Sequence, residues 1–489
     1  MTSYKQEQLS LCIRYVKDLE VNERFICFMD VSSGRGASHL ASTILTAIEK
    51  YNIHKIPLVA QSYDGANVMS GSVSGVQQKI REHYPEAVYI HCLAHKLNLV
   101  VCNTCSSIKE VRNFFNTLEA IYVHFSQPGI NNELTNLLSE MKIKPLSITR
   151  LCETRWACRF KNCDAVLNNF GAIISILVRE VDEGLNRDVP QAIGLLNMMK
   201  TPTFVFHLFI FHEVLKIINI LSKQLQQKNT NLSNATNTIN GVIKTFEEMR
   251  NIDHFSGIWD KISNFASKND ISLDIPKKSK RQRTEPYHLR DFDVTVATGA
   301  EQQLPIQCTE TVDKQIQNYW RNHFYNPIVD TILSHLKLRF SEESQELAQA
   351  TESFISLDFT NSLYFINHYK DLFSINMECL KSEMTVARNC AIQLSNKFGL
   401  KELKQVISKT VYPNLFKLLQ VALVLPISSA SCERSFSAMR RIKSWTRTTM
   451  GQERLSDLSI IHIESDLVID KDIILNKFAE NKRTLPLHF

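Results

Sequence analysis

Two acids in this sequence stand where a strand or a turn delivers a side chain to a sheet end. Asp64 closes the strand pattern Leu58 to Tyr63, and open α/β sheets hold their ligands at the carboxyl ends of their strands. Gly65 follows it and leaves room for a bulky group to approach the backbone. The ordinary alternative is a turn former, the commonest use of Asp before Gly. Glu433 opens a helix after the polar turn Ser428 to Ser431, where an acid also complements the helix dipole. Soft ligands come in two pairs, Cys92-x-x-His95 and Cys102-x-x-Cys105, a spacing that can close around zinc. The residues between them read as one continuous strand-to-helix segment, which sets the pairs about three turns apart and argues against zinc. Cys152, Cys158 and Cys163 have no ligand spacing. Trp156, between Arg155 and Arg159, can stack on a base or sit in a core.

The elements that would position these groups fall into three regions. Over residues 1–106, Gln8 to Val16 and Arg24 to Asp30 form an expected antiparallel hairpin around polar Lys17 to Glu23. A helix from His39, a strand Leu58 to Tyr63, a helix Val76 to His83 and a buried strand Ala87 to His91 then predict a mixed α/β sheet. Residues 107–405 are expected to be helical, with segments near 107–125, 156–182, 203–227, 229–250, 255–267, 311–340, 358–370 and 376–397. Within them, 269–307 is polar, holds Pro276, Pro286 and Pro305, and reads as a disordered loop. Its Lys277, Lys278, Lys280, Arg281 and Arg283 fit a nuclear-localisation signal or a solvated basic loop. Residues 406–489 return to apolar helices, among them one presenting Leu455, Leu458 and Ile461, a face that needs a partner.

Composition narrows the class. Hydrophobic residues make up 44% and charged residues 22%, with 14 Gly and 13 Pro, which excludes collagen-like, low-complexity and largely disordered chains. Lys plus Arg exceed Asp plus Glu by 56 to 50, so a nucleic-acid partner is permitted through a local basic surface. The start is polar, without the apolar core of a secretory signal. The most apolar stretch, Thr203 to Leu221, carries His207, His212, Glu213 and Lys216 and reads as a buried helix, so no membrane partner is expected. Twelve cysteines in such a chain read as reduced thiols.

Four segments in fixed order are more specific than their parts: Ser62 to Gly71 (SYDGANVMSG), Ile90 to Val100 (IHCLAHKLNLV), Glu153 to Trp156 (ETRW) and Ser428 to Phe436 (SSASCERSF). Together they resemble the hAT superfamily of DNA transposases, over nearly the whole chain. The likeness is greatest to animal transposon-derived proteins that join a long helical region to a C-terminal dimerisation region. The resemblance implies an RNase H-like core split by a helical insertion, with three carboxylates holding two Mg²⁺ or Mn²⁺ ions for phosphodiester transfer. It implies metal-binding and catalytic roles for Asp64 and Glu433, a structural Cys-x-x-His motif at Cys92 and His95, and base contact by Trp156. Arg155, Arg434, Arg440, Arg441, Lys443 and Arg447 would lie near DNA, and Leu455, Leu458 and Ile461 in a homodimer interface.

The sequence departs from that pattern at its start. The expected first carboxylate and the upstream BED-type zinc finger are absent, and Asp30 ends the wrong strand to replace the first. The expectation is a nuclear, catalytically incomplete protein that dimerises and binds DNA without specificity. The alternatives are an active transposase whose first exon is missing and a helical interaction scaffold. Without the first strand, the hairpin is expected to be loosely held.

Overall fold

The computed structural model describes residues 6–151, 157–183, 189–227, 231–275, 312–340, 343–395, 398–468 except 445, 446 and 448, and 470–480. The chain divides into two compact units. The first comprises Met1–Leu97, Leu221–Ile239 and Phe340–Phe489, and the second Asn98–Ile220 and Asn240–Arg339. The helical stretch expected over 107–405 is therefore shared: 221–239 and everything after 339 group with the first unit. Most of the basic loop, including its five Lys and Arg residues, lies outside the described residues.

In chain order the described elements begin with β1 (Gln8–Lys17), β2 (Glu20–Asp30), α1 (Ala37–Lys50), β3 (Ala60–Gln61), α2 (Asn67–Ser70), α3 (Val76–His83), β4 (Val88–Tyr89) and α4 (Leu93–Ser107). Helices α5 (Lys109–Phe125), α6 (Pro128–Glu140), α7 (Ala157–Glu183), α8 (Val189–Met199), α9 (Pro202–Leu225), α10 (Leu232–Met249), α11 (Ile252–Lys268), α12 (Val312–Trp320) and α13 (Asn326–Arg339) follow. The chain ends with α14 (Glu343–Ile355), α15 (Leu363–Tyr369), α16 (Met377–Leu394), α17 (Leu400–Val406), α18 (Pro413–Val424), α19 (Ala430–Ile442), α20 (Gln452–Ile463) and α21 (Lys471–Ala479). The fold is mixed α/β and mostly helical.

Strands β1 and β2 pair antiparallel from Gln8 opposite Asp30 to Lys17 opposite Glu20. The polar stretch expected to separate them is mostly strand, because Asp18 (φ 50°) and Leu19 (φ 58°) alone make the turn. Two left-handed residues match the twist of a two-residue hairpin. Glu23 thereby lands opposite Arg14, and the two form an ion pair at 2.7 Å. A bulge shifts the register between Leu11 and Cys12, which face Cys27 and Phe25 and leave Ile26 as the extra residue. Phe25 and Phe28 would point to opposite faces of a regular strand. Here they lie opposite Cys12 and Ser10, on one face, with ring centroids 4.8 Å apart.

That face is covered by the far end of the chain. Phe25, Phe28 and the fully buried Leu455 form one cluster, with Phe436, Met439, Ile442, Ile460 and Ile463 packed around it. Helix α20 and the residue after it also close the main chain of β2. The Phe25 N–H donates to Glu464 Oε1 (2.7 Å), the Phe28 N–H to Ser456 Oγ (3.2 Å), and Gln452 Nε2 to the Phe28 carbonyl (2.8 Å). The hairpin is thus clamped by α19 and α20, contrary to the expectation that it hangs loose.

The expected four-strand sheet is two separate pairs among the described residues: the hairpin, and a parallel β3–β4 pair. Main-chain bonds extend the second pair on both sides, from Val88 N–H to Val59 O (3.2 Å), Ile90 N–H to Gln61 O (2.9 Å) and Cys92 N–H to Tyr63 O (3.2 Å). Helices α1 and α3 cover this region with Leu40, Ile44, Ile48, Val76 and Ile80, joined by Leu9, Leu58 and Tyr63. From α15, the Tyr369 hydroxyl donates to Val59 O at 3.0 Å.

The second unit buries an aromatic core built on α5, α9, α11, α12 and α13. Phe114, Phe206, Phe211 and Trp320 are all buried there. Between Trp320 and Pro327 the helix widens into a π turn over Arg321–Tyr325. Proline lacks the N–H and clashes with the preceding turn of a regular helix, so a local widening ahead of it is the expected relief. Helix α9 is long and apolar enough to cross a bilayer, yet 61% of its apolar window is buried inside the protein. His207 sits on this helix, fully buried, its Nδ1 2.6 Å from Thr203 O. Burial depresses its pKa to about 4.

An unfolded histidine titrates near 6.5, so between that pH and about 4 the unfolded chain binds the extra proton. Stability conferred by neutral His207 is present above about pH 6.5 and is lost as pH falls toward 4, by roughly 3 kcal/mol. Urea midpoints measured across this range should show the decline. His207→Phe, which keeps the ring and removes the proton site, should flatten it.

Candidate functional site

The carboxyl ends of β3 and β4 meet the start of α19 at a single sulfur. Cys92 caps α4: its Sγ accepts the His95 N–H at 3.3 Å, three residues on, as a capping oxygen does. The same Sγ accepts the Ser429 N–H at 3.2 Å. Its own N–H donates to Tyr63 O, and the next N–H, of Leu93, donates to Ile427 O at 2.9 Å. Cys92 is completely buried, and desolvation raises its thiol pKa. The Cys-x-x-His motif is therefore a hydrogen-bonded node between the 63–65 loop, α4 and the turn before α19.

Asp64 and Glu433 leave this node on either side. Asp64 follows Tyr63, whose carbonyl Cys92 holds, and Glu433 lies in the first turn of α19, whose charge reaches the Cys92 thiol and raises its pKa further. Both acids are exposed. Beside Asp64 stand His91 and His95, stacked with centroids 6.1 Å apart. Gly65 stands at their edge, where a Cβ would lie 2.9 Å from His91 Nε2 and 3.0 Å from His95 Cδ2, so a larger residue would push the rings aside. Burial lowers the His91 pKa, with Lys96 adding to it. Tyr89 is pushed up to about 12, chiefly by desolvation and then by the Asp64 charge.

This arrangement offers two carboxylates where the resemblance implies three. Among the described residues, no group of three His, Cys, Asp or Glu side chains is placed to hold a metal ion. Asp30 is engaged in its own turn, accepting the Ser32 N–H at 2.9 Å. Helix α4 runs unbroken from Leu93 to Ser107, so the zinc-spaced pairs lie toward its opposite ends. There Cys102 bonds the Asn98 side chain at 3.8 Å, and burial pushes the Cys105 thiol up to about 12.

The remaining expected residues divide sharply. Trp156 and Arg155 lie outside the described residues. Arg434 is held by Ser431 Oγ (2.6 Å), Glu23 (3.5 Å) and the Gln226 carbonyl (3.4 Å). Lys443 is buried, 4% exposed, and donates to Gln6 Oε1 at 2.8 Å, which corrects its expected place on a DNA-facing surface. Arg440, Arg441 and Arg447 are exposed. Leu455 is 0% exposed and belongs to the chain's own core, which corrects its place in an interface. Leu458 is half-buried and Ile461 is 60% exposed.

Sequence reasoning passed over Ser429, Glu23 and Glu464. Ser429 and His91 stood inside the quoted motifs, adjacent to the residues singled out. Glu23 and Glu464 carried no local signal, because their partners are in distant segments.

Comparison with known proteins agrees with this geometry at both ends of the chain. Residues 403–467 match the hAT family C-terminal dimerisation region, and residues 3–75 match the RNase-like domain of ZMYM1/FAM200. Over 98% of its length the chain is 22% identical to the human protein named 52 kDa repressor of the inhibitor of the protein kinase. The mouse protein of that name matches equally, at 22% identity over 98% of the chain. The chain spans 63% of the length of each. The likeness to hAT-type transposase-derived proteins, drawn from four short motifs, is matched by both regions.

Removing the sulfur at the node should cost more than its volume. In Cys92→Ala the partly buried Ser429 N–H loses its acceptor, at about 1 kcal/mol or somewhat more. Chemical denaturation should show that loss, and Cys92→Ser should recover part of it by restoring an acceptor.

Proposed function

We propose that this chain is a transposase-derived protein that acts as a homodimer in the nucleus, contacts DNA without sequence specificity and does not cut it. The observation that carries the reading is the matched dimerisation region together with the apolar surface its end leaves uncovered. Ile461, Leu467 and Val468 are 60%, 48% and 99% exposed, and Ile473 and Ile474 on α21 are 54% and 50% exposed. Helix α21 has nine residues, none of them buried. Helices this short are marginal in water without packing, so α21 needs a covering surface. A second copy, through continuity with the matched region, is the occupant the reading assigns. The naming of the relatives as repressors supports the nuclear placement.

The RNase H-like, split-core reading of the first unit is supported by the match at 3–75 and by the return of α19 and α20 onto the hairpin. For DNA, Arg440, Arg441 and Arg447 are exposed and available to a phosphate backbone, whereas Arg434 and Lys443 are engaged within the fold.

Light scattering of the purified chain at tens of micromolar should give a dimer mass. Ile473→Asp with Ile474→Asp should yield a monomer of unchanged thermal stability, whereas Leu455→Asp should unfold the chain. A wild-type monomer at that concentration defeats the proposal. Filter binding to unrelated duplexes should give equal affinities that fall steeply with salt, and Arg440→Ala with Arg441→Ala should lower the log–log slope by about 2. Nicking of a transposon-end oligonucleotide with Mg²⁺ or Mn²⁺, lost in Asp64→Ala, would overturn the non-catalytic reading.

A further inference from the structure

Ser10 and Cys12, two residues apart on β1, share the strand face that meets α19. Ser10 Oγ lies 2.7 Å from Ser435 Oγ and 4.0 Å from Cys12 Sγ, while Cys432 Sγ reaches the Ser10 carbonyl at 3.8 Å. Ser10 thus contacts both sulfurs, Cys12 through its hydroxyl and Cys432 through its carbonyl. Both are free and only partly buried. Cys12 lines a cavity of about 270 Å³, with Glu23, Ser431, Arg434, Arg441 and His462 also on its wall. A small oxidant entering that cavity comes up against Cys12.

We propose that Cys12 and Cys432 are a redox modification site, a dithiol that hydrogen peroxide converts to a disulfide joining the N-terminal hairpin to α19. Peroxide oxidises one sulfur to a sulfenic acid, and its other oxygen leaves as water. The second sulfur then displaces the hydroxyl, the S–S bond forms, and a second water carries away the remaining proton. The net change is two thiols and one peroxide to one disulfide and two waters. A thiol reductant reverses it.

The position gives the bond a consequence. Cys12 lies in the segment matched to the RNase-like domain and Cys432 in the matched dimerisation region. Non-covalent packing holds these ends together across some four hundred intervening residues. The disulfide fixes that contact covalently and closes nearly the whole chain into one loop, which restricts the unfolded state.

The test treats the full chain with hydrogen peroxide, blocks free thiols and maps tryptic peptides. The expected result is a peptide pair linked through Cys12 and Cys432, with faster migration on a non-reducing denaturing gel and a higher melting temperature. Dithiothreitol should reverse all three. Cys12→Ser and Cys432→Ser should each abolish the fast band. Recovery of both cysteines as alkylatable thiols, under conditions that oxidise the exposed Cys379, overturns the proposal. That differential alkylation is read on the wild-type chain, so the result stands even if a serine variant fails to fold.

Discussion

The first unit depends on how the outer edge of β2 is closed. A two-stranded ribbon leaves main-chain donors and acceptors without ladder partners, and each one buried unsatisfied costs about 1–3 kcal/mol. Here side chains do what another strand would do. Glu464 takes the Phe25 N–H, Ser456 takes the Phe28 N–H, and Gln452 donates to the Phe28 carbonyl. Arg24, bonded to Glu464 at 2.7 Å and to Asp466 at 2.9 Å, neutralises the acid that does the closing. The edge is complete only while the C-terminal helices are in place, so the hairpin and those helices form one cooperative piece.

The Cys92 node extends the same logic to the parallel strands. Its N–H continues the β3–β4 ladder to Tyr63, and its sulfur gathers the N–H groups of His95 and Ser429. Burial raises the thiol's pKa, and the neutral sulfur serves as an acceptor for both N–H groups. The two acids beside the node are exposed, in contrast to the dry interior behind them.

The C-terminal region serves two surfaces at once. Along α20, Leu455, Ser456 and Ser459 are buried toward the hairpin, while Ile461 turns outward and continues into Leu467, Val468 and α21. One side of the region completes this chain's core. The other carries apolar area beyond what that core uses, which is the physical content of a dimerisation region within a single protomer.

The sequence by itself determined which segments are helix and strand wherever one face is strongly periodic. Helices α5, α7, α9, α10, α11 and α16 lie within a few residues of the expected segments, and α9 is buried as its apolar pattern requires. The shorter α6 and α8 were not separated from their surroundings, since a dozen residues give few repeats of the period. The ordered motifs also marked Asp64, Cys92 and Glu433 as one set. Only the tertiary structure decided how particular side chains are used in packing. The bulge at Ile26 put Phe25 and Phe28 on one face, a reversal that no period-2 reading contains. Leu455 and Ile461 have the same apolar character, yet one meets Phe28 and the other meets solvent. Lys443 looked like part of a basic run and is buried against Gln6. Periodicity records that a face must be covered. It does not record which surface covers it, because the partner comes from the opposite end of the chain or from a second copy.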